Sequence, residues 1–433
     1  MTDPVNVSST FCPLPWIHLH AWPDGKAMLC CKAHGGENDG KIGDISKNTY
    51  AEIMNSDKMK QIRLDMLDGK TIPQCIACTT DERLNTRSFR EDSIQRYRQD
   101  LPDLLHENYT LVDGTLVNPK MLYMDFRFSN LCNLGCQTCG SPLSSTIANN
   151  RVDNISETIN LKEKRVLSNR GTITSFVYAR PDFFKEDILP YIDTVEGFYF
   201  AGGEPLMHQE HLELLNYLDD NNLHHRKIIY STNLTLLKWK KTNFLEKWKN
   251  FEDIIFLCSI DGDHERLEYI REFSKHDVVF KNLKQIIEMK KTHPEGSARY
   301  RIHLCYTHSI YNCYYTLEFF KALIDEGILE DLDHIEFNCS YGDNNSPAIL
   351  PEFAKQELIE KRNKDRVSEE MIRAFELFPE MKQIFDSVDE FLYDEMPPDE
   401  FDRLISVKLI NSMEKVEKAL PWLHSVIKRH KIL

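Results

Sequence analysis

No run of 18 apolar residues occurs anywhere in the 433-residue sequence, so a membrane-spanning helix is not expected. Positive charge is also short: 53 Lys and Arg stand against 68 Asp and Glu, a formal net charge of -15. A general grip on nucleic acid needs cations clustered against phosphates and is not expected either. With 17 Gly, 18 Pro and no simple repeat, the chain is neither fibrous nor low-complexity. Its opening residues, MTDPVNVSST, lack a basic stretch leading into an apolar one. The expectation is therefore a cytoplasmic protein without a secretory signal. What is present is a 41% hydrophobic chain, long enough for sizeable cores and two or three domains.

A reducing compartment does not favour a disulfide framework, so the 12 cysteines need another account. Grouped cysteines in such a chain point to metal or redox chemistry. Cys12, Cys30, Cys31, Cys75 and Cys78 form an early set, and Cys132, Cys136 and Cys139 a tight middle one. Cys258, Cys305, Cys313 and Cys339 are scattered and read as small buried hydrophobes.

Residues 81–118 are polar, with charge on all sides and a turn at Asp113-Gly114. They read as a solvated helix and linker between an amino-terminal domain, 1–80, and a larger one, 119–345. In the larger domain short β-rich runs recur at Met121–Phe128, Gly197–Ala201, Lys227–Thr232, Ile254–Ile260, Arg301–Thr307 and His334–Cys339. Helical spacing separates them at Met207–Asn221, Leu236–Lys249 and Leu317–Glu326. Six strands alternating with helices predict an α/β fold with a parallel sheet. The long passage from Cys139 to about Tyr191 predicts an insertion, and residues 346–433 a charged helical extension.

The segment MDFRFSNLCNLGCQTCG spaces its cysteines C-x3-C-x2-C just after the first strand. Structural zinc sites use four closed ligands, whereas three thiolates on one loop suit a four-iron cluster with one iron left open. The later strands end in further polar motifs. Gly202-Gly203-Glu204-Pro205 closes the second, Ser231-Thr232-Asn233 the third, and Ser259-Ile260-Asp261-Gly262 the fourth. In parallel α/β barrels, ligands gather at such strand ends.

On these motifs the region 119–345 resembles the radical S-adenosylmethionine (SAM) superfamily. The resemblance implies a partial (β/α)6 barrel in which Cys132, Cys136 and Cys139 hold a [4Fe-4S] cluster whose open iron binds SAM. It places Gly202, Gly203 and Glu204 at the methionine amine, and Ser231 and Asn233 near the ribose or carboxylate. Ser259 and Asp261 become further polar contacts, and Arg271 a partner for the SAM carboxylate. Thr138 stands where the family often has an aromatic residue, which bears on how adenine packs.

The early set has the pattern C-x12-G-x4-C, from Cys12 through Gly25 to Cys30, followed by the C-x2-C pair Cys75 and Cys78. The Trp-Pro-Asp-Gly turn before Lys26 reads as a hairpin tip that brings Cys12 and Cys30 onto adjacent strands. With KIGDI and AEIMNSDKMKQIRLDMLDGK before QCIAC, the segment resembles the SPASM/twitch auxiliary-cluster domains. The resemblance implies a second [4Fe-4S] cluster on Cys12, Cys30, Cys75 and Cys78; by spacing alone a four-cysteine zinc site remains open. Cys31 reads as a buried neighbour, and His18 and His20 as strand histidines sharing one face.

Together the resemblances imply an oxidoreductase that oxidises a substrate C–H, with the auxiliary cluster as electron acceptor. A peptide or protein side chain is the expected substrate, and a small alcohol, sugar or amine the alternative. A flavodoxin- or ferredoxin-type donor would supply electrons. A non-catalytic iron–sulfur or zinc scaffold is the reading from another class. The intact GGEP and Ser-x-Asp motifs count against it.

Overall fold

The computed structural model describes residues 7–33, 40–83, 87–152, 173–340, 345–393, 399–409 and 412–430. The chain divides into two compact units. One comprises residues 1–131 with 159–229, the other residues 132–158 with 230–433.

In the first unit a hairpin forms from β1 (His18–Ala21) and β2 (Lys26–Met28), paired antiparallel as His20↔Met28. Its tip closes because Gly25 adopts φ +88°, a conformation cheap only for glycine, and donates its N–H to Trp22 O at 2.9 Å. β3 (Gly43–Asp44) adds to the far side of β2. On its other side β1 runs parallel to β4 (Tyr123–Phe126), in the register His18↔Tyr123 to Ala21↔Phe126. β4 continues parallel to β5 (Gly197–Phe200), which neighbours β6 (Lys227–Thr232). The early cysteine segment thus shares a sheet with the first strand expected of the barrel. Cys12 and Cys30 flank the hairpin rather than sit on its strands.

Within residues 81–118, which read as a linker, lie the helix Phe89–Arg96 with a Ser88/Glu91 capping box, and the short helix Leu101–Leu104. Buried Arg63 donates to Gly114 O at 2.8 Å, Pro15 O at 2.9 Å and Met54 O at 2.6 Å. Such a fork satisfies three carbonyls that burial would otherwise leave bare. Tyr97, Leu101, Leu104 and Leu116 are buried among the polar residues.

In the second unit the hairpin of β7 (Lys238–Trp239) and β8 (Thr242–Asn243) leads to the parallel strands β9 (Asp253–Ser259), β10 (Tyr300–His308) and β11 (His334–Cys339). The order is β6-β9-β10-β11. Helices His264–Ile270, His276–Thr292 and Thr316–Asp325 intervene. All six expected strands are present. The helix expected over Leu236–Lys249 is mostly that hairpin, and only Phe244–Trp248 is helical. Lys240 turns the chain at φ +53°, while the burial of Leu237, Phe244 and Trp248 imitates a helical stripe.

The carboxyl-terminal helices, from Glu352–Asp365 to Pro421–His430, belong to the second unit. Leu358, Leu404, Leu420 and Leu423 join Ile270, Ile310 and Tyr311 in one buried cluster, so this extension completes a core. Of the insertion expected from Cys139 to about Tyr191, residues 153–172 lie outside the described residues. Among the described residues, no helix is long and apolar enough to cross a membrane.

Candidate functional site

The loop carrying Cys132, Cys136 and Cys139 follows β4 and enters the helix Ser145–Val152. Side chains of that helix fix its start. Cys132 N–H donates to Ser145 Oγ at 3.1 Å, and Thr146 Oγ1 donates to Cys132 O at 2.7 Å. Its far side is tied to residues 270–272. Gly135 N–H donates to Glu272 O at 3.0 Å and Gln137 N–H to Ile270 O at 2.7 Å. Backbone bonds on both sides of the middle cysteine hold the loop in place.

The strand-end motifs of the second unit converge on this loop. Asn233 Nδ2 faces Cys132 Sγ at 3.9 Å and donates to Asn133 Oδ1 at 3.1 Å. Asn133 in turn donates to Thr235 Oγ1 at 2.8 Å. Arg271 and Asp261, each expected at the cofactor, pair with one another through Nη2 and Oδ2 at 2.8 Å. Asp261, fully buried, also accepts from Thr307 N–H at 2.8 Å. Burial pushes the Cys136 thiol up to about 12, and the Arg271 charge acts against that rise. A cation beside a buried thiol favours the thiolate a metal requires. Ser231 and Ser259 are half-buried at the ends of β6 and β9, and Thr138 is half-buried on the loop.

The GGEP turn lies in the first unit. Gly203 has φ +56°, and a Cβ there would sit 2.2 Å from Leu131 O. Gly202 has φ +81°, and its Cβ would meet Arg127 Cβ at 2.6 Å. Glu204 N–H donates to that same Leu131 O at 2.8 Å, and the Glu204 side chain accepts from Leu206 N–H at 3.3 Å. The two glycines are thus required by close packing on residues 127–131, which end one position before Cys132.

The early cysteines meet in the first unit. Cys12, Cys30, Cys75 and Cys78 line one pocket with Arg90 and apolar Met66. Arg90 reaches Phe11 O at 3.0 Å and is forked onto Glu82 at 2.8 and 2.6 Å. Burial raises all four thiols, Cys75 to about 12. Four thiolates cannot share such a pocket without a strongly positive partner, and a metal cluster is one. Among the described residues, no three of His, Cys, Asp and Glu already stand at the spacing of a single bound metal ion.

The first unit also carries a buried polar face. His18 and His20 are buried on β1 opposite Tyr123 and Asp125 of β4. The Nδ1 of His18 bonds Tyr123 O at 2.9 Å, and that of His20 bonds Asp125 Oδ2 at 2.7 Å. Burial holds His18 at about 4, so it is neutral near pH 7 and donates through Nδ1. Burial pushes the Asp125 carboxyl up, but His20 and Arg127 more than offset it and hold the group below its ordinary value. Cys31 feels both Asp125 and Arg127. The alternation of His18 and His20 was visible in the sequence; their carboxylate partner, 105 positions away, was not.

Residues 12–79 match the family model SPASM, described as an iron-sulfur cluster-binding domain. Among solved structures the chain is similar to native anSMEcpe with bound AdoMet and Cp18Cys peptide, at TM-score 0.28 and 17% identity over 39% of this chain and 46% of that one. It thus spans under half the length of that structure. It is also similar to Streptococcus suis SuiB bound to S-adenosylmethionine, at TM-score 0.32 and 15% identity over 83% of this chain and 68% of that one. SuiB bound to precursor peptide SuiA gives TM-score 0.32 and 16% identity over 81% and 69% of the two chains. No curated protein matches the sequence.

Proposed function

We propose that this chain is a radical SAM oxidoreductase with an auxiliary iron–sulfur centre in its amino-terminal segment. The observation that carries the reading is the three-cysteine loop, tied on both sides and met by Asn233 and the Arg271–Asp261 pair. The SPASM match over residues 12–79 supports the auxiliary centre. In this reading residues 119–345 form the catalytic domain, 1–80 the auxiliary one, 81–118 their connection and 346–433 a helical extension.

Cys132, Cys136 and Cys139 would hold a [4Fe-4S] cluster, and Cys12, Cys30, Cys75 and Cys78 a second. The first cluster with SAM supplies, when bound, abstraction of a hydrogen atom from an unactivated carbon. The chain's own residues position and protect that chemistry. Gly202, Gly203 and Glu204 would present backbone and carboxylate groups to the cofactor amine. Ser231, Asn233 and Ser259 would offer polar contacts to its remaining groups. Arg271, engaged by Asp261, steadies the middle cysteine and carries positive charge to it.

A peptide side chain is the proposed substrate, with a flavodoxin- or ferredoxin-type electron donor in the cytoplasm. The test is anaerobic reconstitution with iron and sulfide, then SAM and a strong reductant. Release of 5'-deoxyadenosine and methionine is expected; zinc in place of iron, with no cleavage, overturns the proposal.

A further inference from the structure

Among the described residues, a side chain of the carboxyl-terminal extension reaches the cysteine loop. Lys408, on the helical turn Ile405–Leu409, donates from Nζ to Gln137 O at 3.2 Å and to Asn345 Oδ1 at 3.0 Å. Gln137 lies between the second and third cysteines of the C-x3-C-x2-C loop. Asn345 is buried and anchored in turn, since its carbonyl accepts from Ile310 N–H at 2.8 Å and Tyr311 Oη meets its Oδ1 at 3.3 Å.

The two backbone groups of Gln137 are therefore each held by a different element. Its N–H goes to Ile270 O, and its carbonyl receives a lysine 271 positions away in sequence. A carbonyl already served by solvent does not need a half-buried ammonium, whose long side chain loses rotamer freedom when fixed. Lys408 brings two things to the loop. One is a hydrogen bond that fixes the peptide between two ligands; the other is a unit positive charge in a partly buried setting, where charge acts further than in water.

We infer that Lys408 is a positioning residue for the cysteine loop, through which the carboxyl-terminal helices set the ease of reduction of the cluster held there. The inference rests on the radical SAM reading and adds a role for the extension. Positive charge near a cluster stabilises its reduced, more negative form. Removing the charge lowers the reduction potential and slows the electron-requiring step; a charge that retains both geometry and sign restores it.

The test compares Lys408→Met and Lys408→Arg with the unaltered full-length chain. In the iron-free proteins, amide hydrogen exchange over residues 133–139 reads loop order without any cluster. Faster exchange is expected in Lys408→Met and unaltered exchange in Lys408→Arg. In the reconstituted proteins, potential-controlled EPR should show a more negative midpoint for Lys408→Met. 5'-Deoxyadenosine formation should be roughly tenfold slower in that variant, with Lys408→Arg close to the unaltered protein. Loss of iron binding in Lys408→Met alone, with Lys408→Arg loading normally, also supports the role. It is overturned if exchange, potential and rate are unchanged in Lys408→Met, or if Lys408→Arg behaves as Lys408→Met does. Failure of the unaltered chain to assemble a cluster on this loop would instead refute the radical SAM reading.

Discussion

Replacing Gly203 with alanine tests the link between the GGEP turn and the cysteine loop. At φ +56° an alanine bears the left-handed penalty, roughly 1 kcal/mol. Its Cβ would stand 2.2 Å from Leu131 O, 2.8 Å from Leu131 C and 2.9 Å from Asn130 C. These are backbone atoms, so the chain itself has to retreat by about 1 Å to reach ordinary contact. That retreat weakens the bond from Glu204 N–H to Leu131 O, now 2.8 Å, for about 1 kcal/mol more. The sum is roughly 2–4 kcal/mol, or a fall in Tm of about 5–10 °C. Leu131 directly precedes Cys132, and a displacement of that size at a reacting centre can cost on the order of 100-fold in rate.

The control is Gly327→Ala, where φ is +65° but a Cβ meets nothing within 4 Å. It should lose only about 1 kcal/mol and keep full SAM cleavage. Thermal unfolding followed by a 5'-deoxyadenosine assay reads both effects. If Gly203→Ala unfolds like Gly327→Ala and cleaves SAM at the unaltered rate, the steric argument is wrong.

Acid should destabilise the fold early. Burial holds His18 and His208 at about 4 and His211 at about 3, against 6.5 in the unfolded chain. The unfolded state therefore binds the protons, so stability is full above pH 6.5 and falls by several kcal/mol as pH drops toward 4. A urea midpoint that stays flat from pH 6.5 to 4.5 would contradict this. Cys75→Ala should remove about four irons per chain and abolish product while sparing cleavage; full product formation in that variant would exclude the electron-acceptor role.

Much of the fold could be read from local pattern. The runs Lys227–Thr232 and His334–Cys339 are strands over those same residues, since β-branched and aromatic residues between turns leave little choice of period. The failure at Leu236–Lys249 was of the same origin, because a two-residue turn can reproduce helical spacing of apolar side chains. The cysteine groups declared themselves by spacing. What spacing could not supply were pairings across long stretches of chain: His20 with Asp125, and Lys408 with the Gln137 carbonyl. Each depends on strand register or helix packing, which no short window of sequence contains. Arg271 and Asp261, both expected at the cofactor, also pair with each other in the structure.

The most direct measurement is EPR of the reduced, anaerobically reconstituted Cys75→Ala protein, in which the loop of Cys132, Cys136 and Cys139 carries the remaining cluster. SAM bound at an open iron should change the spectrum on addition. A cluster signal that SAM leaves unaltered, or no cluster signal at all, would contradict the account.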